Sequence, residues 1–354
     1  MSRLPSTQQG RIGQFRSCLT PCLPLTFFKK MKLIFLAFLI PLALLGSDSL
    51  DQNWQEVADG KNGLNLLKDI HELTRLVDDA EFHEFIEEYE GNRQWDDRTF
   101  VDLIERSTQV EKTVAEALRL NVWQVEGFYT PDTKAEELDV FKIWEGVQIV
   151  RFQKYLISSK PMEAYQRAHD LSQSGLKMMS AKGGANHFLS GFFAYTKGLK
   201  LLDTLESNYP STEYEDFSVS KETLKEYYRD VIRHEYGSTI KTVDYLVTRL
   251  KDQGKYSEYV LDVHATKEII TEFFQEAFDN SFREPSDYTF ESRKRIEIMI
   301  EERSSLEKLK TEESFKNAAG LKLLTIFNWN PENIWELVQS RSTQHTNARK
   351  NQPQ

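Results

Sequence analysis

The sequence predicts an all-α protein of roughly ten helices, packed as helical hairpins in an irregular bundle or a short solenoid-like array. Three observations carry that prediction. Apolar residues recur every three or four positions along most of the chain, no stretch alternates with period two between turn signals, and only 16 Gly and 10 Pro serve 354 residues. Hydrophobic residues at 40% and charged residues at 28% exclude a disordered chain, a collagen-like repeat and a multi-spanning membrane protein. The length suffices to bury a sizeable core.

The first segment is a targeting signal rather than a structural element. Lys29-Lys30-Met31-Lys32 precedes an uncharged apolar run from Leu33 to Leu45 and the small polar exit Gly46-Ser47-Asp48-Ser49. Thirteen residues span roughly 20 Å as a helix, short of the ~30 Å hydrocarbon core, so residues 31–47 read as a signal peptide. Cleavage after Gly46 or Ser47 places Leu44 or Leu45 where a smaller residue is favoured, which keeps an uncleaved N-terminal anchor as the alternative. Such an anchor would be the protein's only contact with a membrane. Met31 is the natural start of a basic n-region, so residues 1–30 read as a non-native extension. They hold both cysteines, Cys18 and Cys22, and the exported chain from Asp48 has no thiol. The six basic residues before Asp48 have no acidic counterpart, and the remaining 39 basic and 55 acidic side chains leave the body at −16. That acidic charge repels phosphate backbones, so nucleic acid is not expected as a partner.

The body reads as two halves, a helical domain over 48–207 and another over 221–340, ahead of a polar disordered tail at 341–354. Leu64, Leu66, Leu67, Ile70, Leu73, Leu76 and Val77 share one side of a helix from Gly63 to Val77. Phe82, Phe85, Ile86 and Tyr89 repeat the spacing. Thr99 to Glu126 carries a longer stripe, and after the turn at Phe128 to Asp132 come helices over 135–158 and, opened by Pro161 at its first position, over 161–179. Further helices are expected over 186–205, 221–250, 257–278, 288–309 and 313–327. Asn330-Pro331 opens a last one. The stretch Asn208 to Ser220 is the expected subdomain boundary.

Three pieces resemble landmarks of a family of exported, uncharacterised helical bacterial proteins: Asn62-Gly63-Leu64-Asn65-Leu66-Leu67, Gly191-Phe192-Phe193-Ala194-Tyr195, and Lys316 to Leu324, KNAAGLKLL. Members often run on into a further helix and a Gly-Tyr-Pro-like segment, whereas this chain stops at Asn351-Gln352-Pro353-Gln354, as a truncated relative would. The resemblance implies an all-helical fold and export to the periplasm or cell envelope of a bacterium. It implies no activity and no catalytic residue.

No local motif names a reaction. None of the seven histidines lies three or four residues from another, and the His-Glu pairs at 71, 83 and 234 lack the second histidine of a zinc protease motif. His83 and Glu87 share a helix face within reach of a divalent ion, but isolated pairs of this kind are ordinarily solvated. Gly-x-Ser-x-Gly and phosphate-binding loops are missing. Gly183-Gly184 before His187 could present N–H groups to an anion, yet an interhelical turn explains the glycines more simply. Gly191, Ala194 and Gly198 form a small-residue face for close helix packing, and Phe141, Trp144, Phe152, Phe273, Phe274 and Phe278 fall at core spacing. Tyr227-Tyr228 and Tyr256 to Tyr259 are the first places to look for an aromatic ligand surface. The expectation is therefore no catalytic, cofactor-binding or metal-binding residue and no cofactor. Replacing His187 should change stability modestly. A non-catalytic scaffold or binding module for a protein or cell-envelope component is the expected function. The alternative is a glycan-directed periplasmic hydrolase whose carboxylates converge from separate helices.

Overall fold

The computed structural model describes residues 49–51, 56–58, 60–74, 97–210, 219–309 and 316–326. The signal segment, both cysteines, the pair His83 and Glu87, the helix expected at 82–89, the one from Asn330 and the tail at 341–354 lie outside them. The described residues form helices α1 (Gly63–Asp69), α2 (His71–Thr74), α3 (Asp97–Leu118), α4 (Glu136–Ile157), α5 (Pro161–Met179), α6 (Ala185–Asn208), α7 (Lys221–Asp252), α8 (Val263–Asn280), α9 (Glu291–Leu309) and α10 (Ala318–Ile326), with a 3₁₀ turn at Pro285–Asp287. The fold is all-α, and among the described residues there is no strand, only two isolated parallel bridges. From Leu50 onward the described residues belong to one compact unit.

Capping chemistry sets most of the boundaries. Asn62 accepts from the Leu64 N–H at 3.2 Å, Ser220 from Thr223 at 3.1 Å and Asp262 from Ala265 at 2.9 Å, each satisfying a donor that the first helical turn leaves orphaned. Pro161 opens α5, where its missing N–H costs nothing. Two helices take their caps from other helices: Glu235 of α7 accepts the Ala185 N–H at 2.7 Å, and Glu276 of α8 accepts those of Glu291 at 2.8 Å and Ser292 at 3.0 Å. The helix expected from Gly63 breaks at Ile70, and the one expected from Ser257 begins at Val263, behind the Asp262 cap.

α4 lies at the centre, with Val140, Phe141, Trp144, Val147, Val150 and Phe152 buried around most of its circumference. It contacts α1, α2, α3, α5 and α6, while α7 bridges α6 to α8, and α8 meets α9 and α10. The Phe and Trp residues expected in the core are all within it. Each fully buried Phe contributes about 1.5–3 kcal/mol relative to exposure.

α5 and α6 make the closest pair. A Cβ on Gly191 would stand 2.5 Å from the Met179 backbone nitrogen and 2.6 Å from the Gly175 carbonyl, and one on Gly198 would stand 2.9 Å from the Ala168 carbonyl. The small face at 191, 194 and 198 is a packing surface, as its spacing implied.

The largest departure from the periodicity concerns residues 119–126. They continue an apolar spacing but leave the helix after Leu118 and run extended, because two distant partners claim their backbone. Gly63 donates to the Val122 carbonyl at 2.9 Å, Asn62 Nδ2 to the Gln124 carbonyl at 2.6 Å, and the Val125 N–H to the Lys182 carbonyl at 3.2 Å. Lys182 donates back to Trp123 at 3.1 Å. A side chain on Gly63 would run into the Trp123 indole, so a glycine is required there.

Candidate functional site

The extended strip leads into residues 127–135, which cross the first turns of α4 and α6 and lie along α7. Gly127, at φ +92°, makes the bend that other residues resist. Three contacts then hold the segment on α7: the Tyr129 N–H donates to Ser238 Oγ at 3.0 Å, Lys241 Nζ to the Phe128 carbonyl at 3.1 Å, and the Tyr245 hydroxyl to Asp132 at 2.6 Å. Gly237 leaves space for the Phe128 ring.

This arrangement places the Tyr129 side chain between two helix starts. Its hydroxyl donates to Glu137 Oε1 at 2.7 Å, and His187 Nε2 reaches the same oxygen at 2.7 Å. Glu137 sits in the first turn of α4 and His187 in the first turn of α6, and both are buried. The opposite nitrogen, His187 Nδ1, has no hydrogen-bond partner and lies against Gly183, where a Cβ would come within 2.9 Å of it. His234 and Glu235 complete the cluster from α7. The His234 ring meets Tyr129 edge-on at 5.1 Å between centroids, with Nδ1 3.4 Å from Ser238 Oγ, and Glu235 caps α6 beside it.

Dehydration acts on Tyr129, Glu137, His234 and Glu235, and their neighbours set the outcome. Burial, reinforced by the Glu137 charge, pushes the Tyr129 hydroxyl well up, so it stays a donor. Burial also pushes Glu137 up, but the hydrogen bond and charge of His187 and the Tyr129 hydroxyl outweigh it and hold the carboxyl below its usual range. Glu235 is raised by burial despite the Ala185 N–H. His234 is lowered to about 4 by burial and then by His187, against a stabilising contact with the Gly127 backbone.

Beside the cluster is a cavity of about 180 Å³, with Tyr129 and Glu137 in its wall and Lys68, Lys134, Lys241 and Glu126 around it. A larger open depression of about 670 Å³ lies along the start of α8, lined by Tyr256, His264 and Lys267 among others. Tyr228, by contrast, is core, and Tyr259 is exposed.

Of the residues singled out in the sequence, His187 is thus drawn into a polar cluster, and the double glycine forms the turn before α6 with Gly184 as its N-cap. His71 lies 3.4 Å from Asp139, His169 lies 3.2 Å from Gln173, and His264 is exposed. Among the described residues no group of three or more His, Cys, Asp or Glu is placed to hold a metal. Sequence reasoning missed Tyr129, Glu137, His234 and Glu235 as a unit. The signal was a polar residue inside an apolar stripe: Glu137 lies four before Phe141, and His234 and Glu235 lie three and four after Val231. No family model matches the chain, and neither a curated protein nor a solved structure is significantly similar to it.

Proposed function

We propose that the chain is exported and acts without catalysis, as a helical scaffold or binding module for a protein or another component of a bacterial cell envelope. The observation that carries the non-catalytic reading is the state of the buried cluster. Its residue types are those of acid–base chemistry, yet Glu137 Oε1 is engaged by Tyr129 and His187, the far side of the imidazole rests on Gly183, and Glu235 is spent on capping α6. Catalysis needs a group that can reach a substrate proton, and these groups reach each other. Export is supported by the basic and apolar order of residues 29–47.

A hydrolase is the second reading, favoured by one observation: two carboxylates from separate helices, Glu137 and Glu235, are driven in opposite directions from their ordinary range within one cluster. Purified protein is expected to release no reducing ends from peptidoglycan or chitin-type glycans. Turnover that disappears in Glu137→Gln while the fold persists would replace the binding reading with the hydrolase. For export, N-terminal sequencing of natively secreted protein should start near Ser47 or Asp48, and intact residues 1–30 in the soluble cytoplasmic fraction would overturn it.

A further inference from the structure

We propose that residues 127–135 form a pH-released strap, pinned on α7 by the His234 imidazole and let go when that ring takes up a proton. Three consecutive strap residues lean on this one side chain. The Gly127 backbone contacts it, the Phe128 ring lies 5.9 Å from it between centroids, and the Tyr129 ring meets it edge-on at 5.1 Å. Ser238 ties the ring to the strap a second time, since its Oγ accepts the Tyr129 N–H at 3.0 Å and stands 3.4 Å from His234 Nδ1. The ring is backed by the turn before α6, where a Cβ on Gly184 would come within 3.0 Å of Nδ1.

The strap can come away without disturbing a helix. It has no helical ladder, and Pro131 to Lys134 are exposed. Its own turn, closed by the Thr133 N–H on the Thr130 carbonyl at 2.9 Å, moves with it, and Gly127 at φ +92° is its hinge. Away from the cluster it is held on α7 by Lys241 on the Phe128 carbonyl and Tyr245 on Asp132, both at the surface where water competes for the same groups. Segments with few buried ties open at low cost, while packed helices stay closed.

A proton on the ring loosens the pin. The neutral imidazole can accept the Ser238 hydroxyl at Nδ1, whereas the protonated ring carries N–H groups on both nitrogens and competes with the Tyr129 N–H for Ser238 Oγ. The ionisable groups around the ring are Tyr129 on the strap, Glu137 on α4, His187 on α6 and Glu235 on its own helix. Glu137 is engaged by Tyr129 and His187, and Glu235 by the Ala185 N–H. Burial, and then His187, hold the ring at about 4, against 6.5 in water. An open strap returns the ring to water, so opening takes up a proton, and acidification from about pH 7 to about pH 5 favours the open form roughly twentyfold. Opening uncovers the Gly237 to Tyr245 stretch of α7 and the Glu137 and His187 pair beneath Tyr129. The device does not rest on the scaffold reading.

The test is amide hydrogen exchange on the full chain at about pH 7 and about pH 5, corrected for the intrinsic pH dependence of exchange. Protection over 127–133 should fall about tenfold or more on acidification, while the α5 and α6 amides keep theirs. In His234→Asn the protection of the strap should be the same at both pH values. If that variant has already lost the protection at neutral pH, NMR titration of wild type decides: the His234 ring and the strap amides should shift with one common midpoint between 4 and 6.5. The proposal is overturned if the strap keeps its protection in acid, if α5 and α6 lose theirs together with it, if His234→Asn responds to pH as wild type does, or if the two midpoints differ.

Discussion

Glu137 is a buried carboxylate whose ionised form depends on two donors, and this makes His187 a structural keystone out of proportion to its size. Removing a hydrogen-bond partner from a buried carboxylate leaves that oxygen unsatisfied, which typically costs about 1–3 kcal/mol and more for a charged group. His187→Ala should lower the unfolding free energy read from denaturant melts by that order, at or above the modest change that the sequence implied. The double variant His187→Ala, Glu137→Gln should recover part of the loss, because no charge is then left without a partner. His234 behaves differently, since its neutral form is the folded one. Its value falls from 6.5 to about 4, so between these limits the unfolded chain binds a proton that the folded chain refuses. Its contribution is therefore complete above pH 6.5 and is lost as pH falls toward 4, by about 3 kcal/mol in all. Glu235, raised by burial, acts with the opposite sign as pH rises above its ordinary value, while Glu137, held low, loses its contribution only as pH falls below its ordinary value. The comparison of wild type with His234→Asn isolates the histidine. The variant should show a shallower fall in stability from pH 6.5 to 4, and an unchanged slope would mean that His234 does not titrate there.

At the scale of the element, the α5–α6 contact is held apart by backbone atoms, not by side chains that can swing away. Gly191→Leu or Gly198→Leu must separate the helices, so the loss should reach or pass the upper end of the about 1–3 kcal/mol usual for overpacking. Gly254→Ala is the control: its φ of +64° is strained for alanine but its surroundings are open, and it should cost about 1 kcal/mol. Thermal melts of the three variants rank these effects. The same pair shows what periodicity can reveal. α5 spans the residues its pattern indicates, because Pro161 marks its start and both helices make their key contacts with each other in sequence order. α3 ends eight residues before its pattern does, because Val122 and Val125 keep a helical spacing from Leu118 while Asn62 and Lys182, roughly sixty residues away on either side, compete for the backbone between them. The candidate site was illegible for the same reason. His187 stands 50 residues from Glu137 and 58 from Tyr129, and no local pattern encodes a meeting at that distance.

For the whole molecule, helix content and the location of the thiols combine into one expectation. Protein beginning at Asp48 has no cysteine, so its circular dichroism should be strongly helical and identical with and without reductant, and a substantial strand signal would contradict the architecture. The extended strip at 122–125 has a further consequence, which concerns time. The α5–α6 pair joins chain neighbours that pack along their lengths, but this strip gains its hydrogen bonds only when two chain loops of about sixty residues have closed on it. Closing such loops loses entropy before any bond returns it, so the strip belongs to the late, native side of the folding barrier. A residue that stabilises only the far side of a barrier governs escape, not entry. Asn62→Ala, which deletes both the cap on α1 and the bonds to Gln124, should therefore accelerate unfolding in stopped-flow chevrons while leaving the refolding limb nearly in place. A slowed refolding limb would instead make the strip part of the nucleus.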